Sequence, residues 1–155
     1  MIKRVKHVHF VGIGGCGMSG IAEILLKSGY EVSGSDIVSS SVTERLAGMG
    51  VKIFSGHSKH NITGADIVVY SSAVSLTNPE IVEANEHHVP VLRRAEMLGQ
   101  LMRMKFSIAV AGTHGKTTTT SMIGKMLSDG GLDPSIIVGG VAKRTDSGAV
   151  MGGSN

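Results

Sequence analysis

The stretch "FVGIGGCGMSG", residues 10–20, governs how the rest of the chain is read. Two apolar residues run into glycines, and a helical pattern opens within a few positions. Gly12, Gly14 and Gly17 keep the G-x-G-x-x-G spacing. Glycines so placed allow a tight strand-to-helix turn and close backbone approach, and the helix N-terminus offers N–H groups to a diphosphate. Met18, Ile21, Ala22, Leu25 and Leu26 then recur at i, i+3, i+4, i+7 and i+8, the buried stripe of an amphipathic helix. A second strand, "YEVSGSD", ends at Asp36, 19 residues after Gly17. A carboxylate there can accept hydrogen bonds from a ribose or a base. The plainer alternative is a structural turn with Asp36 as a solvated strand end.

The alternation continues outward. Residues 8–12 read as the first strand, "SVTERLAGMG" as a helix stopped by Gly50, and "VKIFSG" and "ADIVVYSSAV" as the third and fourth strands. "NPEIVEANEHHV" reads as a helix with Asn78 as cap and Pro79 at its first position. "VPVLRRAEMLGQLMRM" supplies a brief strand and then a helix over residues 95–104. Strands alternating with helices predict an α/β fold, a Rossmann-like parallel sheet with helices on both faces, over residues 1–104. At Phe106 the pattern restarts. "FSIAVAG" reads as a strand, and Thr119, Met122, Ile123, Met126 and Leu127 as the apolar stripe of the next helix. "PSIIVGG" reads as one more strand. About fifty residues of strand, loop, helix and strand are too few to cover both faces of a sheet. Residues 105–155 are therefore expected to open a second, incomplete α/β domain of the P-loop ATPase-like kind.

That second unit carries "AVAGTHGKTTTT", residues 109–120. Gly112, Thr113, His114, Gly115, Lys116 and Thr117 resemble a phosphate loop, with Lys116 placed for the β- and γ-phosphates of ATP and Thr117 for magnesium. The early glycine of G-x-x-x-x-G-K-[ST] is replaced by Val110, but the flanking strand and helix patterns keep the phosphate geometry. His114 lies inside the loop and reads as a residue that shapes it.

Composition narrows the field. A chain of 155 residues with 41% hydrophobic and 17% charged residues can bury a core. The net charge of +3 suits an anionic ligand, whereas nucleic-acid binding calls for basic residues interleaved with aromatics, which are only 3% here. Cys16 is the single cysteine, so no intrachain disulfide forms, as suits a reducing compartment. Neither a signal peptide nor a membrane span is apparent, and a cytoplasmic location is expected. Nothing speaks to oligomeric state. His87 and His88 read as a solvated pair, His57 as a weak candidate near the ligand, Cys16 as a small turn residue and the nine methionines as core filler.

Together these motifs carry a resemblance. "GTHGKTTTT" is similar to the ATP loop of the Mur ligases, the ATP-dependent amide-forming enzymes of peptidoglycan synthesis. "HFVGIGGCGMSGIAEIL", "GSD", "VVYSSAV" and "RRAEMLGQLM" resemble the N-terminal part of the branch acting on UDP-N-acetylmuramate and L-alanine. The resemblance implies that the muramoyl carboxylate is phosphorylated by ATP and that the amine of L-alanine displaces phosphate from the acyl phosphate. It further implies that Gly14, Gly15, Cys16, Gly17, Met18 and Ser19 cradle the uridine diphosphate and that Asp36 reaches its ribose or uracil. Ser71, Ser72 and Ala73 would line the same carboxyl edge of the sheet. Gly112, Thr113, His114, Gly115, Lys116, Thr117 and Thr118 would hold ATP, with Lys116 and Thr117 in catalytic roles and Thr117 a magnesium ligand. After Thr117 the carboxylates are Asp129, Asp133 and Asp146, and the family's magnesium-binding glutamate has no counterpart. The family's enzymes are longer, so a chain of this length is expected to be an N-terminal fragment inactive in ligation alone.

Two other classes fit part of the pattern. An NAD-dependent oxidoreductase would use the first loop and Asp36 but leaves the second loop without a role. A non-catalytic nucleotide-binding or regulatory module fits the short length. The first alternative is checked by calorimetry: UDP is expected to compete with the UDP-sugar for the first loop, and NAD is expected not to bind. Saturable NAD binding displaced by UDP would restore the oxidoreductase.

Overall fold

The computed structural model describes residues 5–15, 17–138 and, by backbone alone, 149–150. Cys16 and residues 1–4, 139–148 and 151–155 lie outside this set. In chain order the described elements are β1 His7–Val11, α1 Met18–Lys27, β2 Glu31–Asp36, α2 Ser41–Gly48, β3 Lys52–Ser55, a 3₁₀ turn Lys59–Ile62, β4 Ile67–Tyr70, α3 Pro79–Glu86, β5 Val91–Arg93, α4 Arg94–Met104, α5 Lys116–Asp129, β6 Ile136–Ile137 and β7 Ala149–Val150.

β1 to β5 form one parallel sheet in the order β3-β2-β1-β4-β5. The order reverses beside β1, which pairs with β2 on one side and β4 on the other. Such a switch point opens a crevice at the carboxyl ends of the strands. All five residues of β1 are buried, as a central parallel strand requires. Val8 and Phe10 pack with Val32 and Val69 against Met18, Ile21, Ala22 and Leu25 of α1, Leu46 of α2 and Met97 of α4. Val11, Val68 and Tyr70 pack on the opposite face with Ile62, Ala65 and Ile81 and Ala84 of α3. Helices therefore cover both faces, as the alternation predicted. Each Val, Leu, Ile, Met or Phe side chain among them, buried from water, contributes about 1.5–3 kcal/mol.

Local chemistry explains the element boundaries. α1 starts after Gly17, whose φ of 79° is left-handed and suited to glycine. Asn78 caps α3 by accepting from the Glu80 amide at 2.9 Å, and Pro79 occupies the first turn where no donor is needed. Ser40 and Thr43 cap α2 reciprocally, with the Ser40 amide donating to Thr43 Oγ1 at 2.9 Å and the Thr43 amide to Ser40 Oγ at 3.3 Å.

The second unit departs from the expected pattern. Residues 106–112 were expected to form a strand, yet they join no ladder among the described residues, and Phe106 is fully exposed. A strand's hydrogen bonds lie with its neighbours, and no described strand pairs with this segment. α5 forms where expected, but Met122 and Met126 of its apolar stripe are exposed. Its buried residue is Gly124, which packs directly on Ile136. The last expected strand is reduced to β6, paired antiparallel with β7; residues 139 and 140 lie outside the described set. The methionines divide accordingly: Met18 and Met97 fill the core, while Met104, Met122 and Met126 do not.

Gly34 explains the small residue in "GSD". A Cβ there would stand 2.5 Å from Ile13 Cδ1 and 2.8 Å from the Phe10 carbonyl oxygen. Gly34→Ala is expected to destabilise the sheet by about 1–3 kcal/mol through overpacking. A thermal melt should show a midpoint lower by roughly 5–15 °C; an unchanged midpoint would contradict this packing.

Candidate nucleotide site

The first loop is held by the strand beside it. The Gly12 and Ile13 amides both donate to the Ser35 carbonyl, at 2.9 and 3.1 Å. The Gly14 amide donates to Asp36 Oδ2 at 2.9 Å, and the Val38 amide to Asp36 Oδ1 at 3.1 Å. The Asp36 carboxylate thus already braces the loop. Each of its oxygens keeps a further lone pair for a hydroxyl or ring N–H. Next to it, Asp36, Val38, Ser39, Thr43, Ile53, Phe54 and Ser55 line a shallow cleft at the carboxyl ends of β2 and β3. Its mix of an aromatic ring, aliphatic wall and hydroxyls suits a nucleoside.

The other expected residues divide by exposure. Ser71 adjoins the loop across the switch point: its amide donates to the Val11 carbonyl at 3.3 Å, and a Cβ at Gly12 would lie 3.5 Å from Ser71 Cβ. Ser72 and Ala73 are exposed in the turn that follows. Gly14 and Gly15 are half-buried, and Gly17 is buried. The Met18 side chain lies wholly in the core and Ser19 is buried, so a ligand at this helix start would meet main chain. Cys16 lies outside the described residues.

Arg94, which no glycine-loop motif marks, also borders the site. A Cβ on Gly17 would stand 3.0 Å from Arg94 Nη1, so the guanidinium lies against the glycine loop. It stands at the start of α4, directly after β5, again at the carboxyl edge. Its neighbour Arg93 donates through Nε to the Tyr70 hydroxyl at 3.1 Å. That bond and the nearby Glu96 keep Arg93 firmly protonated. The signal available in advance was a basic pair closing a parallel strand.

Beneath the same edge, on the α3 face, lies a buried polar seam. Glu80 is fully buried. Its Oε2 accepts from Ser35 Oγ at 2.5 Å, and its Oε1 accepts from Asn61 Nδ2 at 2.5 Å and from the Ser58 amide at 3.3 Å. His57 Nδ1 lies 2.9 Å from Ser35 Oγ and 3.3 Å from Glu80 Oε2. His9 Nε2 is 3.6 Å from Glu80 Oε2, too far for a hydrogen bond, while His9 Nδ1 and His7 Nε2 share Ser33 Oγ at 2.8 and 2.7 Å. Burial pushes the Glu80 carboxyl up, but the His9 imidazole and the bonds from Ser35 and Asn61 outweigh it and hold the group below the usual carboxylate range. His57, a weak candidate from sequence, thus joins the edge of the site, whereas His87 and His88 are exposed as expected.

The second loop stands in solvent. Gly112 and Gly115 have φ of 154° and 78°, and Gly115 precedes α5 in the left-handed conformation. No neighbouring atom crowds a Cβ built at Gly115, and no side chain caps α5. The Lys116 ammonium folds back over the loop, donating to the Gly112 carbonyl and, at 3.1 Å, to the Thr113 carbonyl. A lysine that spans its own glycine loop fits a bound phosphate chain. Thr113, His114, Thr117 and Thr118 are exposed around it. Thr117 supplies one hydroxyl, and among the described residues no group of three or more His, Cys, Asp or Glu is placed to hold a metal ion. Asp129 is engaged by Lys125, and Asp146 lies outside the described residues. No described helix is long and apolar enough to cross a membrane.

A switch-point crevice bordered by a glycine loop, followed by a second glycine loop of the form GTHGKT, marks an α/β protein of one particular family. The chain belongs to the Mur ligases: residues 7–106 match the Mur ligase family, catalytic domain. Similar curated proteins include UDP-N-acetylmuramate–L-alanine ligases, among them that of Koribacter versatilis, 56% identical over 100% of this chain and 33% of the relative. That of Geobacter sp. strain M21 is 57% identical over 98% of the chain and 33% of the relative. The chain spans about a third of the length of these relatives. Among solved structures, the UDP-N-acetylmuramate-alanine ligase MurC of Thermotoga maritima superposes with a TM-score of 0.85 at 36% identity, over 96% of this chain and 35% of that one. The UDP-N-acetylmuramate:L-alanyl-gamma-D-glutamyl-meso-diaminopimelate ligase of Neisseria meningitides gives 0.83 at 30%, over 94% and 46%.

The Glu80 geometry sets an acid limb. Its folded pKa lies below its unfolded one, so its contribution to stability is complete above the unfolded carboxylate range and is lost as pH falls through the folded value. In urea unfolding, the stability gap between the native chain and Glu80→Gln is expected to be constant above about pH 4.5 and to shrink below it. A gap that widened on acidification would contradict the assignment.

Proposed function

We propose that this chain provides the nucleotide-binding part of an ATP-dependent ligase that joins L-alanine to the muramoyl carboxylate of UDP-N-acetylmuramate. The observation that carries this reading is the pairing of the braced first loop with GTHGKT in a chain 56% identical to a UDP-N-acetylmuramate–L-alanine ligase over its whole length. Residues 1–104 receive the UDP-sugar. The diphosphate meets the main chain of Gly14, Gly15, Gly17, Met18 and Ser19. Arg94 offsets its charge, and Asp36 takes a ribose hydroxyl or the uracil. Ser71, Ser72 and Ala73 border the path of the sugar. Residues 105–155 open the ATP unit.

A carboxylate is a poor electrophile, so amide formation requires it to gain a leaving group. ATP would supply the phosphoryl group, giving an acyl phosphate from which the amine of L-alanine releases phosphate. Lys116 offsets the charge of two approaching anions, and its place in the loop favours the β- and γ-phosphates. Gly112, Thr113, His114, Gly115 and Thr118 shape the cradle. Thr117 would contribute one ligand to Mg²⁺, which when bound would offset phosphate charge. The reading implies a cytoplasmic setting, with neither nucleic acid nor membrane as partner.

Calorimetry separates the two sites. Asp36→Ala is expected to weaken UDP-N-acetylmuramate binding about tenfold or more, the loss of charge-assisted hydrogen bonds worth about 1.5–3 kcal/mol. Lys116→Ala should leave that binding intact, weaken ATP to a similar degree, and abolish ligation in the full-length enzyme. Undiminished UDP-substrate binding in the first variant, or near-normal turnover in the second, would refute the assignments.

A further inference from the structure

Glu80 sits on α3, across the sheet from α1, yet its bonds end at the nucleotide edge. Through Oε2 it holds the Ser35 hydroxyl at 2.5 Å, and the Ser35 carbonyl in turn holds the Gly12 and Ile13 amides of the first loop. Through Oε1 it holds Asn61 Nδ2 at 2.5 Å, and the same amide group donates to the Gly56 carbonyl at 3.1 Å. The Gly56 amide then donates to the Asp36 carbonyl at 2.8 Å. Asp36 is therefore clamped on both sides by groups that a single carboxylate anchors. His57 closes the ring, with Nδ1 within reach of both Ser35 Oγ and Glu80 Oε2.

Packing alone does not call for such a residue. Glu80 lies beside Ile81 on a helix whose other buried positions are apolar. An apolar side chain there would avoid the desolvation of a buried carboxylate. What an apolar residue cannot do is hold several donors from two chain segments in one register. We propose that Glu80 is a positioning residue for the nucleotide site: acting through the sheet, it sets Ser35 and the segment after β3, and so presents Asp36 and the first glycine loop to a uridine diphosphate. The inference rests on the substrate reading above.

The test is calorimetric titration of UDP into the 155-residue chain and three variants, each with its melting temperature. Glu80→Gln keeps the size but loses the charged acceptor, and Asn61→Ala cuts one arm of the clamp. Ile81→Ala is the control: it opens a cavity one residue along the same helix and removes none of the clamp's hydrogen bonds. Glu80→Gln and Asn61→Ala are expected to lose about tenfold in UDP affinity at a temperature where each is folded. Ile81→Ala should melt earlier yet bind within twofold of the unsubstituted chain. A folded Glu80→Gln that binds UDP normally would make Glu80 a structural residue only and overturn the proposal. Should Glu80→Gln fail to fold, Asn61→Ala decides: a tenfold loss supports the clamp, and unchanged affinity overturns it. Absence of UDP binding by the unsubstituted chain would refute the substrate reading, and this inference with it.

Discussion

The Ser35 carbonyl is the point on which the first site depends. Two consecutive amides from the glycine loop converge on it, so the loop is fixed as a rigid turn continuous with the β1–β2 ladder. That convergence needs β2 to lie hard against the loop, and Gly34 permits it by leaving Ile13 room to pack. Asp36 continues the arrangement by one residue, taking the Gly14 amide. A loop held this way keeps its remaining donors oriented before a ligand arrives. Less ordering entropy is then lost on binding.

The two faces of the sheet divide the work. The face under α1, α2 and α4 is an apolar layer of aliphatic side chains around Phe10, and it secures the fold without directional constraint. The α3 face is mixed. Val11, Val68 and Ile81 pack beside a seam of His9, Ser33, Ser35, Asn61 and Glu80. Buried polar groups are tolerated only when partnered, and nearly all of these are. The exception is His9 Nε2, which makes no hydrogen bond among the described residues but stands beside the Glu80 carboxylate. The polar face is therefore the one that specifies geometry.

The second loop shows how much of a glycine-loop geometry is local. Its left-handed glycine, its lysine and the helix they open all form within one short segment. The surrounding shell does not, since Ile108, Met122, Met126 and Leu132 remain exposed. Apolar stripes of this kind gain stability by being covered rather than by propensity. In a family whose curated members here are about three times as long as this chain, local formation of the loop and its exposure are compatible.

The sequence by itself determined what depends on neighbours along the chain. The G-x-G-x-x-G spacing, the α1 stripe, the Asn78-Pro79 start of α3 and the GTHGKT loop are local signals, and each element formed where its signal stood. Alternation was enough for a parallel sheet covered on both faces. Tertiary structure alone decided what depends on pairing. The order β3-β2-β1-β4-β5 placed Ser71 against Gly12 and Arg94 against Gly17, contacts that no periodicity encodes. It also buried Glu80, in the first turn of α3, against Ser35 of β2 and Asn61 beyond β3. Residues 106–112 failed to become a strand for the same reason. Strand pairing and burial of charge are settled by partners distant in sequence, and a chain read residue by residue carries no record of which partners those are.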